Sequence, residues 1–484
     1  MSSIKTNIIL NGLNTITGIV FPVVTFPYAA RVLLPEGIGT INFLNSIILY
    51  IISLSTLGIP MYAVKEVAKF RDNKVARDRF TIEILLLSIS LCLCAYVAVF
   101  LLAAFIPQIH QDQLLFYILS LSILFTSIGA EWFYQGIEDF KFITVRALII
   151  RTLAAASLFI FVKTPDDLIA YGIITVGSTV GNQIVNFVHL RKHISVRTIK
   201  LKEIRILHHL VPAFTLFVLL LIISLYTHLN SIMLGFISGE ESVGFFTAGN
   251  KISHTALTVI TSIGTVLLPR CSHMIKTGDT EGFSNVINKS LNLINALAFP
   301  IATGLMVLAT PVTMIFCGPE FSDSIPVLYI TAPVILFISL TNLTSIQILY
   351  PMDKVKIVMI SVSASAVINL IINLLLIPSY GAIGAAVATF FAELVVLLIQ
   401  IVLGRHYYPF KVSSIINWKV VGASAIMCIA IYSCLIFTRT YMTQLILGFF
   451  VGAIVYAATL WIFKDRIILE IMDLVKSKIS SSKF

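Results

Sequence analysis

Apolar segments recur along the whole of this 484-residue chain, and each is about 20 residues long, the length that a helix needs to cross a hydrocarbon core. We count about fourteen such segments. They lack the alternating pattern of membrane strands, so they predict α-helices, which satisfy their backbone polar groups internally. With 58% hydrophobic and 12% charged residues, the composition excludes a soluble domain of this length. We therefore predict an all-α polytopic membrane protein whose first apolar segment, which lacks a signal-peptide pattern, is a retained span.

The positions of the basic residues predict an orientation in the membrane. Most of the 33 lysines and arginines, including Lys141 and Arg146, fall in segments that share one side of the membrane if the N-terminus is inside. The opposite loops carry acidic residues such as Glu36, Asp112 and Asp166. Because basic residues in short loops stay cytoplasmic, we expect both termini to be cytoplasmic. The net charge of +10 then faces anionic membrane lipids, and no nucleic-acid partner is needed to explain it.

The longest inner loop, RKHISVRTIKLKEIRILHH, divides the first twelve predicted spans into two sets of six. We expect an N-terminal six-helix lobe over 1–190, a basic cytoplasmic linker over 191–209 and a C-terminal six-helix lobe over 210–404. Two additional transmembrane helices and a cytoplasmic tail are predicted over 405–484.

Short sequence matches between the two halves favour an internal repeat. PEGIGTINF (Pro35–Phe43) and GEESVGFFT (Gly239–Thr247) each contain Glu, two residues and Gly. AYGIITVGSTVGN (Ala170–Asn182) and SYGAIGAAVATFF (Ser379–Phe391) each carry a Tyr-Gly pair near their start. Six spans per copy is an even number, so both copies would start on the same side of the membrane. Proteins with such repeats bind their substrates between the copies.

Four segments, in order along the chain, resemble those of a known family: FPYAARVLLPEGIG, EWFYQGIEDFKFITVR, LNSIMLGFISGEESVGFFTAGNKI and YGAIGAAVATFFAE. The chain is similar to the polysaccharide-biosynthesis flippases, the Wzx-type members of the multidrug/oligosaccharidyl-lipid/polysaccharide exporter superfamily. The resemblance implies two six-helix lobes around a central cavity, two added C-terminal helices and a location in the bacterial inner membrane.

The same resemblance implies a function. Undecaprenyl-diphosphate-linked oligosaccharides would move from the inner to the outer leaflet for the synthesis of surface polysaccharide such as O-antigen or capsule. The implied partners are this lipid-linked substrate, membrane lipids and the polysaccharide polymerase machinery, and the implied coupling ions are H⁺ or Na⁺.

Three basic residues within predicted spans, Arg31, Arg151 and Lys251, are candidates for substrate binding. A charge at the centre of a span costs about 2.5–3.5 kcal/mol on insertion scales, so it is expected to face water or a partner. Guanidinium and ammonium groups donate hydrogen bonds to the oxygens of an anionic diphosphate. We predict a basic cavity in which Arg31 lies opposite Lys251. Two alternatives stay open: Arg31 snorkels to the interface, or Arg151 forms an ion pair with a neighbouring helix.

Two acidic residues within the spans, Glu131 and Glu393, are predicted to serve gating or ion coupling. Glu131 lies beside Trp132 and Tyr134, which also fits an interfacial aromatic anchor with a salt bridge to a nearby basic residue. Glu393 follows several alanines, which also fits close packing of helices around a protonated carboxyl group.

Three further positions are predicted to take part in gating or coupling. Pro22 and Pro27 each remove a backbone hydrogen bond and can kink the first span. Asn230 lies where relatives often have an acidic residue, so the resemblance does not carry an ion-coupling role to this chain directly.

The remaining motifs exclude several classes of protein. No glycine-rich phosphate loop is present, and the six cysteines do not show metal-site spacing. We expect no cofactor, no metal and no enzymatic activity. Two alternatives to a flippase stay open, a cation-coupled multidrug exporter on the same scaffold and a membrane polysaccharide polymerase or ligase. The excess of basic over acidic candidates disfavours the first, and the short acidic outer loops disfavour the second.

Overall fold

The computed structural model describes residues 4–195 and 204–465. Part of the predicted linker (196–203) and most of the predicted tail (466–484) lie outside the described residues. Within them the chain is helical and has no strand, which confirms the predicted all-α membrane fold. Ten of the described helices are long and apolar enough to cross a membrane, or eleven if a bent pair over 240–277 counts as one span. The count of fourteen stays a prediction.

The chain divides into two compact units, 1–244 and 245–484. The helices of the first unit are α1 (Ile4–Thr56), α2 (Ile59–Lys69), α3 (Lys74–Phe105), α4 (Pro107–Gln111), α5 (Gln113–Ile128), α6 (Glu131–Gly136), α7 (Phe140–Phe161), α8 (Leu168–Leu190) and α9 (Leu210–Ile237). The long helix α1 packs against α3, α5, α7 and α9, and α8 packs against α5 and α7. In this division α9 packs with the first unit, whereas the sequence assigned it to the C-terminal lobe; the predicted lobe boundaries stay a prediction.

The second unit contains most of α10 (Glu240–Thr277), which begins in the first unit. The other helices are α11 (Thr280–Val307), α12 (Ala309–Phe316), α13 (Ser324–Thr331), α14 (Val334–Asn342), α15 (Val355–Gly404), α16 (Trp418–Phe437) and α17 (Tyr441–Ile462), with a π-helical segment over Leu343–Leu349. Helix α11 packs against α14 and α16, and α15 packs against α13 and α14. The two C-terminal helices α16 and α17 form a pair.

Two of the long helices contain a backbone break that divides them into two helical parts. In α1 the break is at Leu34 (φ 62°, ψ 175°), directly before Pro35, and a residue before proline is disfavoured in the helical region. In α15 it is at Gly381 (φ 48°), within the predicted repeat segment SYGAIG. Pro22 and Pro27 lie inside α1, and the non-helical dihedrals occur at Leu34 instead of at either of these prolines.

The segments PEGIG and EESVG, which the sequence paired as a repeat, lie against each other within the first unit. A Cβ added at Gly39 would overlap the carbonyl oxygen of Glu240, and a Cβ added at Gly244 would overlap the carbonyl oxygen of Pro35. The Thr40 hydroxyl donates a hydrogen bond to the Glu240 carboxylate. Each glycine therefore meets the backbone at the start of the other segment, and the two contacts are reciprocal.

Two buried carboxylates of α3 hold the described ends of the linker. The backbone N–H of Ser195 donates to Oδ2 of Asp78 (3.0 Å), and the backbone N–H of Arg205 donates to Oε1 of Glu83 (2.7 Å). Nε2 of His209 lies 2.9 Å from Oε2 of Glu83. The segment that the sequence predicted to join the two lobes is therefore anchored on the N-terminal unit at both ends.

Candidate functional site

A polar cavity of about 280 Å³ lies in the first unit, among α1, α6, α7 and α8. Its lining residues are Asn14, Glu131, Ile143, Arg146, Ala147, Arg151, Ser178, Thr179, Asn182 and Gln183. Eight of these ten side chains are polar or charged. A polar cavity formed by apolar spans is unusual, because ionisable groups within a membrane are costly and mark functional sites by default.

Helix α7 supplies both cationic groups of the cavity. Its start is fixed by Asp139, whose Oδ1 accepts a hydrogen bond from the backbone N–H of Phe142 (3.2 Å). From the start of the helix, Arg146 lies about 9 Å and Arg151 about 16 Å along the axis at a rise of about 1.5 Å per residue. Arg151 is therefore near the middle of the 22-residue helix, too deep for a relaxed snorkelling arginine.

Arg146 is 6% exposed and is held from three directions. Its Nε donates to Oδ1 of Asn182 (2.9 Å), and its Nη2 donates to Oε2 of Glu131 (3.3 Å). Its guanidinium carbon lies 5.6 Å from the centre of the Phe142 ring, within cation–π range. Asn182 is oriented for this contact because its amide nitrogen donates to the carbonyl oxygen of Ser178 (2.7 Å). Within the described part of the chain, Nη1 of Arg146 is buried and has no hydrogen-bond partner.

Arg151 connects α7 to the start of α1. Its Nη1 donates to the backbone oxygen of Asn14 (3.0 Å), to Oδ1 of Asn14 (3.1 Å) and to Oγ1 of Thr17 (2.8 Å). A Cβ at Gly18 would lie 3.6–3.8 Å from the guanidinium group, so α1 packs directly along this side chain. The sequence left open an ion pair with a neighbouring helix; the structure shows hydrogen bonds to neutral groups of α1.

The short helix α6 positions Glu131. Ala130, in the left-handed region (φ 46°), separates α5 from α6, and the Tyr134 hydroxyl fastens α6 to α8 by donating to the carbonyl oxygen of Asn186 (2.7 Å). Trp132 and Tyr134 are 6% and 0% exposed, so they are core residues and not interfacial anchors. Glu131 does form a salt bridge, with Arg146. Among the lining residues Glu131 is the single carboxylate, and two arginines against one glutamate give the cavity a formal charge of +1.

The other predicted site residues lie outside this cavity. Arg31 is exposed and lies three residues before the break in α1, whereas Lys251 is exposed on α10 in the second unit. Asn230 in α9 and Glu393 in α15 are each 7% exposed. The structure therefore brings Arg151 and Glu131 together, and the juxtaposition of Arg31 with Lys251 stays a prediction.

Arg146 was not predicted as a site residue. From the sequence it counts among the basic residues of an inner loop, whereas the structure places it in α7, buried and paired with Glu131. The signal was nevertheless present, because the segment EWFYQGIEDFKFITVR that carried the family resemblance begins at Glu131 and ends at Arg146. Asn182 likewise ends the repeat segment AYGIITVGSTVGN.

Comparison with known proteins decides the family. The family model described as polysaccharide biosynthesis protein matches residues 4–275, more than half of the chain. The chain belongs to the polysaccharide biosynthesis protein family. This membership confirms the resemblance found in four short segments, and the match includes every lining residue of the cavity.

Two relatives and two solved structures show how far the likeness of this family member extends. A protein of Escherichia coli (strain K12), provisionally named an O-antigen transporter, is 26% identical over 407 residues, 84% of this chain and 97% of that protein. Lipid II flippase MurJ of Bacillus subtilis (strain 168) is 28% identical over 209 residues, 42% of this chain and 36% of that protein.

The solved structures cover more of this family member. A lipid II flippase MurJ in an inward closed conformation has a TM-score of 0.75 at 18% identity, covering 95% of this chain and 100% of that one. An inward-facing multidrug resistance transporter of the MATE family has a TM-score of 0.64 at 14% identity, covering 80% and 93%. At these identities the structural likeness shows the shared fold alone.

Proposed function

We propose that this chain is a flippase that moves oligosaccharides linked to undecaprenyl diphosphate from the inner to the outer leaflet of the bacterial inner membrane. Membership of the polysaccharide biosynthesis family and the relative named as an O-antigen transporter support this proposal. The observation that carries it is Arg151, a guanidinium group near the middle of a membrane-spanning helix in a polar cavity. A membrane-embedded cation of this kind suits an anionic headgroup better than a cationic drug.

The proposed mechanism is alternating access. A basic cavity between the two predicted lobes, with Arg31, Lys251 and Arg151 as its cations, would attract the anionic substrate while the glycan occupies the aqueous space. The polyprenyl chain would stay in the lipid, so that only the polar part of the substrate crosses. Glu131, Glu393 and Asn230 are the proposed gating or coupling positions, and H⁺ or Na⁺ the proposed coupling ions.

The proposal includes a cellular setting. The chain would lie in the inner membrane with both termini in the cytoplasm and would deliver its substrate to polysaccharide polymerase machinery on the outer side. Surface polysaccharide such as O-antigen or capsule would be the final product. The chain would move the substrate across the membrane without making or breaking a covalent bond in it.

Glycan export tests the proposal. A host that lacks its own flippase, supplied with the matching glycan-synthesis enzymes, should regain surface polysaccharide when it expresses this chain. Arg31→Ala and Lys251→Ala should abolish that recovery at equal membrane abundance. Lys411→Ala, which removes an exposed basic residue of a loop, is the matched control and should export normally.

A second candidate function, multidrug export, rests on the fold shared with the MATE transporter. Failure of the unsubstituted chain to restore polysaccharide despite normal insertion, together with drug resistance in an efflux assay, would favour it. Normal export by both alanine variants would instead refute the proposed roles of Arg31 and Lys251.

A further inference from the structure

We propose that the polar cavity of the first unit is a binding site for the diphosphate group of the substrate, in which Arg146 and Arg151 are the donors and Glu131 is a built-in counter-ion that the diphosphate displaces. This inference rests on the proposed function and deepens it, because it adds a binding site with two members, Arg146 and Glu131, whose roles as donor and counter-ion the sequence did not predict.

The donors of the site are pre-positioned. Arg146 has a fork of five N–H groups, and its described hydrogen bonds, to Asn182 and Glu131, use Nε and Nη2. Nη1 is buried without a partner in the described residues, although a buried donor normally has one. Arg151 is fixed through its contacts with Asn14 and Thr17. A guanidinium group is planar and can donate two parallel hydrogen bonds to phosphate oxygens, and here two such groups are fixed on one helix.

The size of the cavity limits the ligand. A volume of about 280 Å³ lies just below the range for small-molecule sites, about 300–1,000 Å³. The cavity can therefore take a small anionic group and excludes a whole oligosaccharide. Hence the diphosphate that joins lipid to glycan, and not the glycan itself, is the part of the substrate that fits.

Glu131 has the properties of a displaceable counter-ion. It is bonded to Arg146 by one contact of 3.3 Å, long for a charge-assisted hydrogen bond and not bidentate. Its side chain is 37% exposed, whereas that of Arg146 is 4% exposed. The carboxylate can therefore turn towards water while Asn182 and Phe142 keep the guanidinium group in place.

Charge balance favours the exchange of Glu131 for a diphosphate. The charged groups that face Glu131 in the cavity are Arg146 and Arg151 of α7, and the lining side chains of α1 and α8 are uncharged. A diphosphate esterified at both ends carries two negative charges. When Glu131 turns away, the two arginines present two positive charges to it, so that the occupied site is neutral. Glu131 meanwhile keeps Arg146 partly neutralised when the site is empty, which a buried cation requires.

Binding of inorganic pyrophosphate to the purified full-length protein tests the site. Isothermal titration should give saturable binding that Arg146→Gln weakens by about tenfold or more, because a buried charge-assisted donor pair is lost. Arg146→Lys, which keeps the charge but not the fork, should retain part of the affinity. Farnesyl diphosphate, a short lipid-linked form, should compete with pyrophosphate if the site takes the lipid headgroup; competition by inorganic phosphate alone would point to a site for free phosphate and overturn the proposal.

The counter-ion role has its own variants. Glu131→Gln removes the competing carboxylate and should strengthen pyrophosphate binding by about tenfold. Glu131→Asp shortens the side chain by one methylene and should also strengthen pyrophosphate binding, but by less. This variant replaces Glu131→Gln in the test if the glutamine variant fails to fold. Glu138→Gln is the matched control, because Glu138 pairs with Arg71 and does not line the cavity. Unchanged affinity in both Glu131 variants, or in Arg146→Gln, overturns the site.

Export separates this inference from the proposed function. If the unsubstituted chain restores polysaccharide and Arg146→Gln binds pyrophosphate normally, the function stands and the site is wrong. If pyrophosphate binding depends on Arg146 and Glu131 but no polysaccharide is restored, the anion site stands and the proposed substrate is wrong.

Discussion

At the scale of single residues, the wall of the polar cavity depends on the absence of a side chain at Gly129. A Cβ at Gly129 would overlap the side-chain amide oxygen of Gln183 and would lie 2.7 Å from its Cβ, so the clash reaches the base of that side chain. Gln183 lines the cavity and its Oε1 accepts a hydrogen bond from the Asn186 amide (3.2 Å). A side chain at position 129 must therefore displace a wall of the site.

We expect Gly129→Ala to lower the free energy of unfolding by about 1–3 kcal/mol, the cost of overpacking a buried site. It should also weaken pyrophosphate binding, because Gln183 moves. Thermal unfolding of the purified protein and titration measure the two effects. Gly177→Ala on the neighbouring helix α8, where an added Cβ meets nothing within 4 Å, is the control and should be neutral or slightly stabilising.

The residue scale is also where sequence reasoning reached its limit. Arg151 and Glu131 could be selected because they stand inside apolar segments. Arg146 follows FITV after the charged segment Glu138–Lys141, and counting basic residues assigned it to the inner loop. Only the start of α7 at Phe140, fixed by the Asp139 cap, places Arg146 nearly two turns inside a span.

At the scale of elements, the reciprocal crossing of PEGIG and EESVG requires both of its glycines. The backbones approach so closely at Gly39 and Gly244 that neither position has room for a Cβ. If the two segments are copies of one repeat, the two positions are equivalent. Their substitution should then have similar effects, and because they lie in the same contact the effects should not add.

We therefore expect Gly39→Ala and Gly244→Ala each to destabilise the protein by about 2 kcal/mol or more and the double variant by less than the sum. Thermal unfolding of the four proteins completes the cycle. Gly12→Ala, in the same helix as Gly39 but with nothing near its added Cβ, should leave stability unchanged. A large loss for one glycine and none for the other would contradict the reciprocal contact.

The sequence predicts that these elements are helices, but it does not predict at which residue a helix breaks. Runs of about 20 apolar residues leave the backbone no alternative to a helix in lipid. A proline, in contrast, only permits a break, and tertiary packing selects where it occurs. The first helix has Pro22, Pro27 and Pro35, and its dihedrals are non-helical at Leu34, next to the crossing with Glu240 and Gly244.

At the scale of the whole molecule, the anchored linker provides a test of orientation. The linker contains several lysines and arginines, including Arg191 and Lys192, which trypsin can cleave. With both termini inside, cleavage should occur in inverted membrane vesicles and not in intact spheroplasts. Cleavage confined to spheroplasts would reverse the predicted orientation.

The same cleavage measures how firmly the linker is held. Glu83 accepts from the backbone of Arg205 and contacts His209, so Glu83→Ala removes both anchors at the C-terminal end of the linker. Each lost hydrogen bond of about 1 kcal/mol raises the population of the open segment roughly fivefold, so the cleavage rate should rise by about fivefold or more. Glu66→Ala, which removes a partner of Lys69 within α2, should leave the rate unchanged. An unchanged rate for Glu83→Ala would mean that the linker opens without breaking these contacts, and that its attachment to the first unit depends on Asp78 and Ser195 instead.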